Sequence, residues 1–263
     1  MHIAEFEKYI AAGSKKSAEP SFWDAKAEHF ARAFDDLDKS RDAVLFDRLL
    51  SEKLFDSVKS VVDIGCGIGR HTYHFAEYVD SYLGVDSSAG MLAIAEQNKA
   101  KYKLDNCRFA LIDWQNCSET FDLVFASMCP AINSLGDIKK LLALSERYVL
   151  IKRYLSDADS LLQRLDIAGN GAHNNPDYSY GIINIFWQLG YVPQLFTALE
   201  EVEKTYTIDE VQAAYKRVFD NLDESERRQK LELLSEISGE EGSVRSTMRR
   251  QFALILVDKQ FAL

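Results

Sequence analysis

The central part of the chain alternates between two hydrophobic spacings. Short apolar runs have the length of buried strands, and the segments between them place apolar residues three and four positions apart, as amphipathic helices do. Strands are predicted at residues 59–65, 81–86, 107–113, 121–128, 147–155 and 251–259, with helices at 70–79, 88–102 and 136–145. Strands that alternate with helices favour a parallel sheet with right-handed crossovers.

Helical patterns flank this alternating region on both sides. Amphipathic segments are predicted at residues 3–10, 21–36 and 43–55, and AAGSKKSAEP between the first two has the composition of a linker. Residues 156–192 and the helical stretch at 207–248 are not needed by a core sheet. We expect these additions to cover the edge of the sheet at which a substrate binds.

Composition narrows the class of protein. Of the 263 residues, 47% are hydrophobic and 27% are charged, as in ordinary globular proteins. The formal net charge of -10 argues against a surface that follows nucleic-acid phosphates. The opening MHIAEFEKYI lacks the regions of a secretory signal, and four cysteines without a CxxC pair fit reduced thiols. We therefore expect a cytoplasmic protein that does not enter a membrane.

Glycine occupies every second position in GCGIG, directly after the first predicted strand. Gly65, Gly67 and Gly69 form G-x-G-x-G, whereas a dinucleotide-binding loop has G-x-G-x-x-G. Asp63 precedes this loop, and its carboxylate would repel a pyrophosphate but attract a cation such as an amino acid ammonium. The loop therefore predicts a ligand other than a dinucleotide.

Two further acids end the next two predicted strands. Asp86 can accept hydrogen bonds from both hydroxyls of a ribose, and Asp113 can accept one from an exocyclic amine such as that of adenine. Ligands of parallel sheets bind at the carboxyl ends of the strands, so we expect the acids at one edge. An ammonium, a ribose and an adenine in strand order describe S-adenosylmethionine.

These segments resemble the class I S-adenosylmethionine-dependent methyltransferases. VVDIGCGIGR is similar to their first motif, YLGVDSSAGML to the segment after it, FALIDW to the adenine-side motif and FDLVFASM to the fourth-strand motif. The ending, with LGYVPQ, TYTIDEVQAAY and a final strand QFALILVDK, is loosely similar to the small-molecule ubiquinone and menaquinone C-methyltransferases.

The resemblance implies the fold and its organisation. The fold is α/β and Rossmann-like, with a seven-stranded, mostly parallel sheet, helices on both faces and an antiparallel last strand. Four parts are implied: an N-terminal helical lid (1–50), an S-adenosylmethionine-binding core (51–155), the rest of the sheet with substrate-side helical insertions (156–250), and the final core strand (251–263).

The resemblance also implies roles for individual residues. Asp63 and the glycine loop hold the methionine end, Asp86 holds the ribose, and the residues after the fourth strand lie near the transferred methyl. The implied cofactor-binding residues are Asp63, Gly65, Cys66, Gly67, Gly69, Asp86, Ser87, Met91, Asp113, Trp114, Ser127 and Met128. The residues implied in the acceptor pocket or lid are Trp23, Phe30, Arg70 and Cys129.

Several of these residues also have a structural interpretation. Asp86 suits the N-cap of the following helix, Met91 suits the core, and Asp113 suits a turn. His71 and His74 share a helix face but have no third ligand in sight, so no metal site is predicted.

The motifs identify no general base. The candidates are His173, Tyr178 and Tyr180, all in the predicted loop NGAHNNPDYSYG. The thiol of Cys66 is expected to pack, and Cys129 is not expected to act as a nucleophile, because methyl transfer needs no covalent enzyme intermediate.

The favoured function is transfer of a methyl group from S-adenosylmethionine to a small-molecule acceptor by in-line displacement, leaving S-adenosylhomocysteine. The acidic charge favours a small acceptor over a nucleic acid. Two alternatives stay open: a methyltransferase that acts on protein or RNA, and a non-catalytic or NAD-dependent nucleotide-binding protein. A homo-oligomer is compatible with the sequence, which does not identify the acceptor or the methylated atom.

Overall fold

A computed structural model describes residues 3–11, 19–35, 40–167, 176–238 and 242–262. The seven strands are β1 (Ser60–Ile64), β2 (Ser81–Asp86), β3 (Cys107–Leu111), β4 (Phe121–Ser127), β5 (Ser145–Asp159), β6 (Gln194–Thr207) and β7 (Ser243–Asp258). They form one sheet in the order β3-β2-β1-β4-β5-β7-β6. The six predicted strands are therefore present, and β6 is an additional strand for which no apolar run was recognised.

Strand directions confirm the expected fold class. The strands from β3 to β5 in this order pair in parallel with their neighbours. Side-chain contacts show that β7 runs antiparallel to β5: Arg147 bonds to Asp258, and further along β5 Ser156 bonds to Gln251. The fold is thus a mostly parallel seven-stranded sheet with an antiparallel last strand.

The helices surround this sheet and precede it. They are α1 (Ile3–Ile10), α2 (Pro20–Asp24), α3 (Ala27–Asp35), α4 (Ser40–Ser51), α5 (Thr72–Ala76), α6 (Ala89–Tyr102), α7 (Leu135–Leu144), α8 (Ser160–Arg164), α9 (Pro176–Gln188), α10 (Ile208–Ala214), α11 (Lys216–Phe219) and α12 (Glu224–Ser238). The single helix predicted at 21–36 is two helices, separated at Ala25 and Lys26. No helix in the described ranges is long and apolar enough to cross a membrane.

The chain divides into two compact units. The first comprises the described residues of 1–153, 176–198 and 253–263, and the second those of 154–175 and 199–252. In the first unit the central strands are almost completely buried, as parallel strands covered on both faces must be; Val62, Leu123 and Val124 are 0% exposed. Strands β1 to β4 and their carboxyl ends therefore belong wholly to the first unit.

The second unit has its own apolar core. Its buried residues are Leu161, Leu162, Leu165, Val211, Tyr215, Phe219, Leu234 and Val244. Asp159 caps α8 by accepting hydrogen bonds from the amides of Leu161 and Leu162, and it also accepts one from the Tyr215 hydroxyl at 2.7 Å. The core and this polar contact together join α8, α10 to α12 and β7.

Candidate active site

The glycine loop after β1 has the left-handed backbone that glycine allows. Gly65 has a φ of +68° and Gly67 a φ of +55°. A Cβ atom on Gly65 would lie 2.7 Å from the Sγ atom of Cys129, whereas a Cβ on Gly67 would meet no atom within 4 Å. Gly65 is therefore required for packing against the end of β4, and Gly67 faces open space through which a ligand can approach the backbone.

Asp86 at the end of β2 is joined to this loop. Its carboxylate accepts hydrogen bonds from the backbone amides of Gly67 and Ser88, each at 2.9 Å. Burial raises the pKa of Asp86, although these amide bonds oppose the effect. The N-cap interpretation of Asp86 is wrong, because Ser88 caps α6 and accepts a hydrogen bond from the amide of Met91. The helix is therefore capped by Ser88, two residues after Asp86, and Asp86 is the last residue of β2.

Asp63 lies beneath the loop, with an exposed fraction of 1%. Its carboxylate accepts a 2.7 Å hydrogen bond from the hydroxyl of Tyr82 on the neighbouring strand. Burial raises the pKa of Asp63 to about 6, against the opposing effects of His71 and of the bond from Tyr82. A negative charge held under the loop makes the space above Gly67 favourable for a cationic group.

The end of β3 presents the third acid in a turn. Asp113 is exposed, and its carboxylate accepts a hydrogen bond from the amide of Gln115 at 3.0 Å. Trp114 is buried at 6% exposure and begins a short 3-10 helix. The turn contact occupies one oxygen of Asp113, so this residue has a structural role as well as the position expected of a ligand.

The end of β4 carries a strained residue. Met128 has a φ of +55°, and its amide donates a 3.0 Å hydrogen bond to the carbonyl of Lys152 on β5. A non-glycine residue in this region costs energy, and such residues concentrate at functional sites. Ser127 and Met128 are both half-buried. Burial raises the pKa of the adjacent Cys129 to about 11, which keeps its thiol protonated at neutral pH.

The N-terminal segment is bonded to the same edge of the sheet. Asp24 of α2 accepts a 2.6 Å hydrogen bond from the Ser88 hydroxyl and a 2.8 Å bond from the Gly90 amide. Trp23 packs against a buried cluster of Ala27, Ile68 and Met91, of which Ile68 lies within the glycine loop. Two carboxylates of this segment thus contact helix N-termini, because Glu7 of α1 accepts a bond from the Leu135 amide at the start of α7.

The remaining candidates are distributed around this centre. Phe30 contacts the ring of Trp23 at 6.2 Å between centroids but is 41% exposed. Ser87 is exposed after β2, Arg70 is half-buried at the end of the loop, Cys66 is buried with its pKa raised by burial, and Gly69 packs on Ala95. His173 lies outside the described residues.

The two tyrosine candidates lie on α9 and not in a loop. Tyr178 donates a hydrogen bond to the carbonyl of Ile132 and accepts one from Arg153. Burial raises the pKa of Tyr178, so its phenol is a hydrogen-bond donor rather than a base at neutral pH. Tyr180 is 47% exposed and packs edge-on against Phe6 and Tyr9.

Neither Asp24 nor Arg153 was predicted from the sequence to lie at the site. Asp24 gave no signal, because its partners lie 64 and 66 residues away. Arg153 could have been recognised from the sequence. Lys152 and Arg153 interrupt an apolar strand, and a cation in such a strand is rarely buried without a specific role.

The central region of the chain matches a known family model. Residues 55–167 match the family model described as "Methyltransferase domain". A segment of 47 residues is 45% identical to the "Probable S-adenosylmethionine-dependent methyltransferase CRG1" of Saccharomyces cerevisiae, covering 18% of this chain and 16% of that protein. Over 150 residues the chain is 25% identical to an uncharacterized protein of Haemophilus influenzae, covering 56% of this chain and 54% of that one. The chain thus spans about half or less of the curated relatives that it matches.

A solved structure shares the fold. Magnesium protoporphyrin IX methyltransferase from Synechocystis PCC 6803, crystallised with bound S-adenosylmethionine, superimposes with a TM-score of 0.53 at 16% identity. The match covers 72% of this chain and 91% of that one. At this identity the likeness concerns the fold alone.

Proposed function

Because residues 55–167 match a family model described as "Methyltransferase domain", we propose that this protein transfers the methyl group of S-adenosylmethionine to a small-molecule acceptor. The observation that carries the proposal is the pairing of the glycine loop with Asp86. One amide of the loop, that of Gly67, is held by the Asp86 carboxylate, while the space beside the Gly67 Cα is open.

The residues present fit the chemistry of this methyl donor. Asp86 offers carboxylate oxygens at the strand end to a ribose diol, and the open side of Gly67 allows close approach to the backbone. The negative charge of Asp63 beneath the loop favours the ammonium and the sulfonium of the donor. Ser127 and Met128 at the end of β4 are proposed to line the position of the methyl group.

The sulfonium of the donor supplies an electrophilic methyl group. The protein is then required to bind, orient and exclude water, and such positioning can contribute about 7–11 kcal/mol to lowering the barrier. Trp23, packed on Ile68 and Met91 and held by its neighbour Asp24, is proposed to close the donor side of the site. The protonated thiol of Cys129 and phenol of Tyr178 are proposed to line the acceptor side without acting as bases.

A small acceptor suits the charge and the covered edge of the sheet. The net charge of -10 disfavours RNA, whose backbone is recognised by basic surfaces. The helices α1 and α2 lie against the helix N-termini at this edge, as the contacts of Glu7 and Asp24 demonstrate. The relative from Synechocystis is by its name a methyltransferase for a small molecule, magnesium protoporphyrin IX.

The proposal is tested by calorimetry with a matched pair of glycine variants. Gly67→Val should abolish binding of S-adenosylmethionine, because a branched side chain fills the open space beside the loop. Gly242→Val is the control, since Gly242 has a similar φ of +61° and equally open surroundings but lies in the second unit. Wild type and Gly242→Val should bind S-adenosylmethionine and S-adenosylhomocysteine but not NAD or NADP. Unchanged affinity in folded Gly67→Val, or a preference for NAD, would contradict the proposal.

A further inference from the structure

Arg153 is a buried cation near the carboxyl end of β4. It lies on β5, next to the end of β4, and is 8% exposed. Its guanidinium donates hydrogen bonds to the carbonyl of Cys129 and, at 2.5 Å, to the hydroxyl of Tyr178. The same group lies 3.9 Å above the ring of Tyr178. Its Nε atom is buried without a hydrogen-bond partner.

None of these contacts carries a negative charge. A carbonyl, a hydroxyl and an aromatic face are the partners of the guanidinium, and in the described part of the chain no carboxylate forms an ion pair with it. Burial of a charge is costly unless it is paired, so the free protein holds an uncompensated cation here. The unused Nε–H can donate a hydrogen bond to a carboxylate oxygen, and the charge of the guanidinium is complementary to that of a carboxylate.

The position of Arg153 separates it from the residues that fit the methyl donor. Asp63, Asp86 and Asp113 lie at or near the carboxyl ends of β1, β2 and β3, on one side of the sheet centre, whereas Arg153 lies on β5 beyond β4. Cys129 connects the two regions, because its carbonyl binds Arg153 and its side chain packs on Gly65. In space, only Cys129 separates the guanidinium from the glycine loop. The guanidinium therefore lies on the side of the site that is left for an acceptor.

We propose that Arg153 binds a carboxylate of the methyl acceptor, so that the substrates of this enzyme are small organic acids. The inference rests on the proposed function and names its substrate class. Tyr178 is a positioning residue in this arrangement: its ring lies against the guanidinium, and its hydroxyl, bonded to Ile132, fixes the ring. The carboxylate anchors the acceptor and does not define which of its atoms receives the methyl group.

The experiment is a binding titration on the full chain saturated with S-adenosylhomocysteine. Small aliphatic and aromatic carboxylic acids, such as succinate and benzoate, are titrated beside their amides at constant ionic strength. We expect saturable binding of at least one acid and at least tenfold weaker binding of its amide. Arg153→Met should weaken that acid at least tenfold. Arg153→Lys, which keeps the charge but loses the planar fork, should retain the fold and weaken the acid by a smaller factor.

Arg108→Met is the matched control, because Arg108 is an exposed arginine paired with Glu119 on the surface. It should bind the acids as the wild type does. The inference is overturned if no acid binds better than its amide, or if both Arg153 variants bind the acid with wild-type affinity.

A second arm separates the acceptor from the donor as the source of the carboxylate. If Arg153 held the carboxylate of the donor, Arg153→Met would weaken S-adenosylhomocysteine but not 5′-methylthioadenosine, which lacks that group. This result would overturn the assignment to the acceptor. Failure of the wild type to bind S-adenosylhomocysteine would instead refute the proposed methyltransferase function, so the two failures are distinguishable.

Discussion

The buried carboxyl of Asp63 should make the stability of the first unit depend on pH. The pKa of this group is about 6 in the folded protein, against an ordinary value of 3.8. The folded state therefore binds the proton more tightly than the unfolded chain does. The stabilising contribution is complete below about pH 3.8 and is lost as the pH rises through about 6.

The size of the effect follows from the shift. About two pKa units at 1.36 kcal/mol each correspond to a loss of about 3 kcal/mol in the free energy of unfolding, of which about 2 kcal/mol falls between roughly pH 4.5 and 7.5. Asp63→Asn removes this titration and keeps an oxygen that can accept the bond from Tyr82. The free energy of unfolding of the variant should be close to that of the wild type at low pH. The difference in favour of the variant should grow by about 2 kcal/mol over the same pH interval.

Urea unfolding followed by tryptophan fluorescence reports on the first unit, to which Asp63 belongs. The three tryptophans, Trp23, Trp114 and Trp187, all belong to this unit. Asp105→Asn, which removes an exposed carboxylate, controls for the change in net charge. If the difference in unfolding free energy between Asp63→Asn and wild type is the same at both ends of the pH interval, the reasoning from burial is refuted.

Three further results are expected. Asp86→Ala should weaken S-adenosylmethionine binding by about 1.5–3 kcal/mol, the range for hydrogen bonds to a charged group; calorimetry that finds unchanged affinity would remove Asp86 from the site. Asp24→Ala should remove the bonds of α2 to Ser88 and Gly90, so that amide exchange around α2 and the dissociation rate of bound cofactor both increase; equal exchange and an equal rate would make the segment a permanent part of the core. Leu161→Ala, at a site with 0% exposure, should destabilise the second unit by about 2–5 kcal/mol, seen as faster proteolysis within 199–252, and resistance equal to wild type would contradict the packing described for that unit.

Local patterns were sufficient for six of the seven described strands and for the glycine loop after β1. The β2 strand begins and ends at the predicted residues, because an apolar run with an acid at its end fits a buried parallel strand in only one way. The left-handed conformations of Gly65 and Gly67 follow from the residue type itself. The positions of Asp63 and Asp86 at strand ends are likewise a property of chain order, since parallel strands place their carboxyl ends at one edge.

What the sequence determined by itself was therefore the order of strands and helices and the chemistry at the strand ends. Only the tertiary structure decided which of these groups are covered and which meet. It placed Asp63 under the loop with Tyr82, transferred the capping of α6 to Ser88, and brought Asp24 to that cap from 64 residues away. It also buried Arg153 against Cys129 and Tyr178, which are 24 and 25 residues distant. The physical reason is that residue spacing fixes the face on which a side chain lies, whereas its solvation and partners depend on elements packed from elsewhere in the chain.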